Sequence, residues 1–173
     1  MIQIKNAAEL EKMRKACAIS AAALKAGGEA IEPGITTAEI DKIIYDFIVR
    51  HGARPNFLHL YGFPATACIS VNDTVIHGIP NRQQQIRPGD IVSIDTGCKI
   101  DGFNGDNACT YGCGKLDLEA QRLLDVTKES LHRGIEMARG GNRVGDISHA
   151  VQSYVEENGF SVVRTFVGHG VGK

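Results

Sequence analysis

Two aspartates stand on either side of a turn signal. Ile91-Val92-Ser93-Ile94 leads into Asp95, Asp101-Gly102 is a two-residue hairpin signal, and Asp106 follows Gly105. A hairpin closing at Asp101-Gly102 pairs Ile100 with Phe103 and, counting outward, Asp95 with Ala108. Asp106 is two residues from Ala108, so it faces the same side as Asp95, a diagonal neighbour with Cβ atoms within about 7–8 Å. A carboxylate at the end of an apolar strand is costly if nothing balances it. A divalent cation is one remedy, because hard and borderline cations take carboxylate oxygens. Two cations about 3.5–4 Å apart can share a bridging carboxylate. Spacing leaves a second reading open, in which both aspartates are turn or edge residues in water. A bulge among the hairpin glycines would also shift the register.

Six histidines are candidates for the same chemistry. His51, His132 and His149 fall on helix ends or polar faces and read as solvated. His59 is in a loop and stays unassigned. His77 precedes Gly78-Ile79-Pro80, a sharp turn after a strand. His169 lies between Gly168 and Gly170, where small neighbours let a ligand come close. A neutral imidazole binds Zn, Mn, Fe or Co and also moves a proton near neutral pH. Residue chemistry alone leaves His77 and His169 balanced between function and structure. Gly168 to Lys173 lacks the spacing of a phosphate loop, and no G-x-S-x-G elbow is present. The five cysteines (17, 68, 98, 109 and 113) are scattered and read as reduced thiols. Cys109 and Cys113 have no second pair with which to build a zinc site.

These residues need a scaffold. Leu10, Met13, Cys17, Ala23, Leu24 and Ala30 mark a helix over 7–31, ended by Pro33-Gly34. Thr36 with Glu39 reads as a capping box. Ile40, Ile43, Ile44, Phe47 and Ile48 mark an amphipathic helix stopped near Gly52. Strands are expected over 66–71 and 91–94, with hairpin arms 97–100 and 103–110. At an offset of 107, Leu24, Gly27, Glu29, Gly34, Ile40 and Gly52 fall on Leu131, Gly134, Glu136, Gly141, Ile147 and Gly159. The expectation is an α/β (α+β) fold made of two copies of a helix–helix–strand unit. The first half covers about 1–114. The second starts at about 115 and is incomplete at 173, with one strand over 161–167. The chain is thus expected to be a single truncated domain.

The balance of 19 basic and 20 acidic residues favours neither nucleic acid nor an anionic membrane as partner. No apolar stretch reaches a bilayer span. The first ten residues lack the apolar core of a signal peptide, so a cytoplasmic location is expected.

The run Ser70-Val71-Asn72-Asp73-Thr74-Val75-Ile76-His77-Gly78-Ile79-Pro80 resembles a hallmark of type I methionine aminopeptidases. So do Pro88-Gly89-Asp90-Ile91-Val92 leading into Ile94-Asp95, then Asp101 to Asp106, and Gly168-His169-Gly170-Val171-Gly172. The order and spacing match over essentially the whole chain. The resemblance implies the pita-bread fold, with two pseudo-symmetric halves around two divalent ions (Co, Mn, Fe or Zn). It implies that Asp95 holds one metal, Asp106 bridges both and His169 binds the other. His77 would hydrogen-bond the substrate and stabilise the tetrahedral intermediate, and a metal-bridging water would be the nucleophile. The substrate implied is the initiator methionine of a nascent polypeptide with a small second residue. Its side chain would meet Phe57, Leu60, Tyr61, Phe63 and Cys68.

The resemblance further implies transient ribosome association, no membrane partner, and a monomer at full family length. There are two departures. Leu60 and Tyr61 stand near positions where the family usually has tyrosine and histidine or asparagine. A second histidine and two glutamate ligands, one of them the general base, would follow Lys173, so this chain alone is expected to turn over little or nothing. A non-catalytic pita-bread binding protein and a proline dipeptidase are the alternatives. The intact Asp95, Asp106 and His169 argue against the first, and the His77 loop against the second.

Overall fold

Asn6 begins the first helix by reciprocal capping. Its Oδ1 accepts from the Glu9 amide (3.0 Å), and its own amide donates to the Glu9 carboxylate (3.1 Å). The computed structural model describes residues 3–173. Helix α1 runs Ala7–Glu29. It stops two residues short of the expected end, because Gly27 and Gly28 weaken the last turn. Helix α2 (Thr37–Arg50) starts with the capping box that Thr36 and Glu39 announce, and buries Ile40, Ile44 and Ile48.

Four strands follow: β1 (Arg54–Pro55), β2 (Ala67–Val71), β3 (Ile91–Ile100) and β4 (Phe103–Gly112). All pairing is antiparallel and centres on β3. β4 pairs along the whole of β3, so β2 and β1 lie end to end along its other edge. The hairpin register is the expected one: Ile100 faces Phe103 and Asp95 faces Ala108, with no bulge. Asp101 (φ 51°) and Gly102 (φ 84°) supply the two positive angles that such a tight turn needs. The two short strands expected over 91–94 and 97–100 are one continuous strand.

Alternation along β3 separates two faces. Val92, Ile94, Thr96 and Cys98 are fully buried beneath α1 and α2, with Ile69 and Val71 beside them. Ser20 of α1 donates from Oγ to the Thr96 carbonyl (3.0 Å). Gly105 lets α1 settle on β4: a Cβ there would stand 2.3 Å from the Ala16 carbonyl oxygen. Ser93, Asp95 and Gly97 are left on the opposite face.

The chain divides into two compact units. One runs to Leu116 and takes in Gly170–Lys173, and the other is Asp117–His169. The second holds α3 (Leu118–Met137) and α4 (Val144–Glu157). The repeat is visible inside each unit. A Cβ on Gly27 would meet Ile44 at 2.7 Å and Ile40 at 3.5 Å, and one on Gly134 would meet Val151 at 2.8 Å and Ile147 at 3.5 Å. Each of those second-copy residues is 107 positions on from its counterpart. A glycine therefore seats the second helix against the first in both copies.

The strand expected over 161–167 is absent. These residues have no regular secondary structure, and Val163, Phe166 and Val167 are exposed. A strand draws its stability from pairing. β2 has β3 beside it, and no strand in the described residues pairs with 161–167. Among the described residues, no helix is long and apolar enough to cross a membrane.

Candidate functional site

The face of the sheet turned away from the helices carries the acidic pair. Asp95 is followed two residues on by Gly97, and Gly97 is paired with Asp106. The two aspartates are therefore diagonal same-face neighbours on adjacent strands, as the spacing requires. Asp95 Oδ1 is sealed from solvent. On the other side of β3, Cys68 is directly opposite Asp95. Burial pushes its thiol up to about 11, with the charges of Asp95, Asp106 and Asp41 adding to the effect. Ser93 and Thr110 continue the face with a 2.8 Å hydroxyl contact.

Gly97 opens room above the pair. A Cβ on it would lie 3.3 Å from the Phe57 ring and 3.1 Å from the Asn56 amide. The Asn56 backbone N–H, not its side chain, donates to the Gly97 carbonyl (2.9 Å), which brings Phe57 over the acidic face. Phe57 and Phe63 are half-buried, while Leu60 and Tyr61 are exposed, Tyr61 completely. His59 (φ 69°) and Tyr61 (φ 49°) are left-handed. The His59 amide donates to the Phe63 carbonyl (2.8 Å) and closes the loop between β1 and β2.

His77 is also left-handed (φ 57°) and exposed. The next residue is stitched to β2. The Gly78 amide donates to Ser70 Oγ (3.0 Å), and the Gly78 carbonyl accepts from the Ile69 amide (2.9 Å). A Cβ on Gly78 would stand 2.2 Å from the Ile69 carbonyl oxygen, so the turn lies flush against the strand. His169 belongs to the Asp117–His169 unit, in a segment without regular structure. Among the described residues, no group of three or more His, Cys, Asp or Glu side chains gathers to hold a metal. The two aspartates, Cys68 and Phe57 are the part of the sequence-expected site that one unit brings together.

Sequence reasoning missed three supports of this face. The Asp41 carboxylate on α2 accepts from the Thr66 (2.9 Å) and Ala67 (2.8 Å) amides, fixing the start of β2 one residue before Cys68. Burial raises its pKa, and those two amides pull the other way. Asn72 and Asp90 clamp the start of β3: Asn72 Nδ2 donates to Asp90 Oδ1 (2.9 Å), and Asn72 Oδ1 accepts from the Ile91 amide (3.0 Å). Ser70 holds the His77 turn. Ser70, Asn72 and Asp90 lay inside the matched motifs. Asp41 carried one local signal, an acidic residue on an otherwise apolar helix face.

The architecture is that of a mixed α/β protein with an acidic pair on the open face of an antiparallel sheet. The sequence profile of metallopeptidase family M24 matches residues 11–173. The methionine aminopeptidase of Clostridium perfringens is 52% identical over 173 residues, covering 100% of this chain and 69% of that protein. Methionine aminopeptidase 1 of Bacillus subtilis is 46% identical with the same coverage. The crystal structure of the Thermotoga maritima methionine aminopeptidase superposes with a TM-score of 0.97 at 40% identity, covering 99% of this chain and 69% of that one. The chain belongs to metallopeptidase family M24. Its fold is the pita-bread fold, shared more distantly with the prolidase of Pyrococcus furiosus (TM-score 0.81, 23% identity).

Proposed function

We propose that this chain carries part of the machinery for removing the amino-terminal methionine from polypeptides, using divalent metal ions. The observation that carries the reading is the same-face pair Asp95 and Asp106, with Asp95 Oδ1 sealed from solvent, in a chain 52% identical to a methionine aminopeptidase. The donor set fits a cation, because two carboxylates on one face offer hard oxygens and one of these, Asp95 Oδ1, is sealed from solvent. Asp95 and Asp106 would hold the metal, and His169 would add a nitrogen ligand. Bound divalent cations supply Lewis acidity that makes water a nucleophile near neutral pH.

The other residues act on the peptide. Phe57, Leu60, Phe63 and Cys68 form an apolar, sulfur-compatible surface for a methionine side chain, with Tyr61 at its rim. His77 donates a hydrogen bond to the carbonyl oxygen as it gains negative charge, from a turn that Ser70 keeps rigid. The nascent chain meets the protein as it leaves the ribosome, in the cytoplasm, and a monomer suffices for a single peptide end.

The test joins these 173 residues to the carboxy-terminal remainder of the C. perfringens relative and supplies Met-Ala-Ser with Co(II), Mn(II), Fe(II) or Zn(II). Release of methionine that is lost in Asp106→Ala is expected, and Xaa-Pro dipeptides should stay intact. No release with any of the four metals would overturn the reading. The 173-residue chain alone should bind Mn(II) or Co(II) by calorimetry and release little or no methionine.

A further inference from the structure

Four cysteines lie outside the acidic face, and two of them meet where α1 crosses β3. Ser20 marks the crossing through its bond to the Thr96 carbonyl. Three residues back along α1, about one turn, is Cys17, and two residues on along β3 is Cys98, on the same helix-facing side as Thr96. Cys98 Sγ lies 3.5 Å from the carbonyl oxygen of Ala16, the residue bonded to Cys17. Gly105, opposite Cys98 on β4, comes so close that a Cβ on it would stand 2.7 Å from the Cys17 nitrogen. Covalent geometry then puts the Cys98 sulfur within about 6 Å of the Cys17 Cα. In a disulfide each sulfur lies about 4 Å from the partner's Cα, so a side-chain rotation with a movement of up to about 2 Å closes the gap. Both residues are free thiols here, Cys98 fully buried and Cys17 half-buried.

We propose that Cys17 and Cys98 are a redox-modification site, converted by a low-molecular-weight disulfide into an intramolecular disulfide that clamps α1 to the strand carrying Asp95. Cys17, the less buried of the two, attacks the small disulfide as thiolate and forms a mixed disulfide, expelling one small thiolate. Cys98 then loses its proton, attacks Cys17 Sγ and expels the second. Two protein thiols are oxidised to one disulfide, and the reagent is reduced to two thiols. Burial pushes the Cys98 thiol up to about 11, which makes the second step the slower one.

Exposed Cys109 would react on its own, so the test uses Cys109→Ser as background. The folded chain is incubated with oxidised glutathione, blocked, digested and mapped by mass spectrometry without reduction. The expected result is one cross-linked peptide pair containing Cys17 and Cys98, and loss of two thiols per chain. The thermal midpoint should rise by about 5 °C or more and return on reduction, because the link closes a long loop. Cys98→Ala should trap glutathione on Cys17, and Cys17→Ser should leave Cys98 unmodified. Glutathione retained on Cys17 without a cross-link in the Cys109→Ser protein, no reaction at Cys17, or Cys98 linked elsewhere would each overturn the proposal.

Discussion

Replacing Gly105 with alanine tests how α1 is held to the sheet. The added methyl would stand 2.3 Å from the Ala16 oxygen, 2.5 Å from its carbon and 2.7 Å from the Cys17 nitrogen. All three are backbone atoms, so no rotamer change relieves the overlap. Ordinary contacts are about 3.5 Å or more, which obliges α1 to lift by about 1 Å along β4. Overpacking of this kind costs about 1–3 kcal/mol, and a rigid backbone neighbour puts Gly105→Ala near about 3. For a chain of this length that lowers the thermal midpoint by about 6–12 °C. Two controls separate packing from backbone strain. Gly102 has φ 84° with nothing within 4 Å, so its alanine variant meets only left-handed strain, about 1–2 kcal/mol. Gly140 has open space and an ordinary φ, so its variant stays within about 0.5 kcal/mol. Urea and thermal unfolding followed by circular dichroism measure all three. If Gly105→Ala melts with the parent, α1 does not rest on β4 and the account of the core is wrong.

Leu24→Ala should cost about 2–5 kcal/mol, whereas Leu131→Ala, at the same repeat position but 58% exposed, should stay within about 0.5 kcal/mol of the parent. Asp41 has a raised folded pKa, so the folded chain takes up a proton before the unfolded one does as pH falls. Its contribution to stability therefore grows from neutral pH down toward 3.8, and Asp41→Asn should cost more at pH 4 than at pH 7 in urea titrations. Glu39 has the opposite sign: the Thr36 hydroxyl and amide lower its pKa, so the stability it gives α2 is present above 4.5 and is lost as pH falls through the folded value. Glu39→Gln should flatten that part of the acid limb, and an unchanged limb would count against the capping box. Ser70→Ala should leave metal affinity unchanged and lower methionine release by the joined protein, because it frees the His77 turn; equal activity would remove Ser70 from the site.

The hairpin was legible because a two-residue turn leaves one register, and register decides which side chains share a face. That is why Asp95, Asp106 and the Ile100–Phe103 pair could be placed by counting. Asp41 was harder to read. Its partners are backbone amides 25 and 26 residues away, which only the packing of α2 beside β2 brings within reach. The gathering of Phe57 over Gly97 likewise depends on β1 lying along β3, and a two-residue strand leaves no periodic trace in sequence.

The two copies of the repeat show which parts of such a fold are local. A Cβ on Gly27 would stand 2.7 Å from Ile44 and one on Gly134 2.8 Å from Val151, although the Asp117–His169 unit contains no strand of its own among the described residues. The pairing of the two helices is therefore encoded within each pair and does not require the strands. The strand does not behave in this way. At the same offset 161–167 falls on 54–60, where β1 (Arg54–Pro55) pairs with β3, yet the later segment has no regular secondary structure and no strand among the described residues pairs with it. The outward side of the helix pair follows the same logic. Ala16 and Leu24 are 0% and 7% exposed under their sheet, while their counterparts Leu123 and Leu131 are 36% and 58% exposed. Burial of that side is a property of the sheet laid over it. For the acidic face the consequence is specific: Asp95 and Asp106 owe their convergence to strand pairing, so any change that unpairs β3 from β4 removes the site even where every ligand residue is kept.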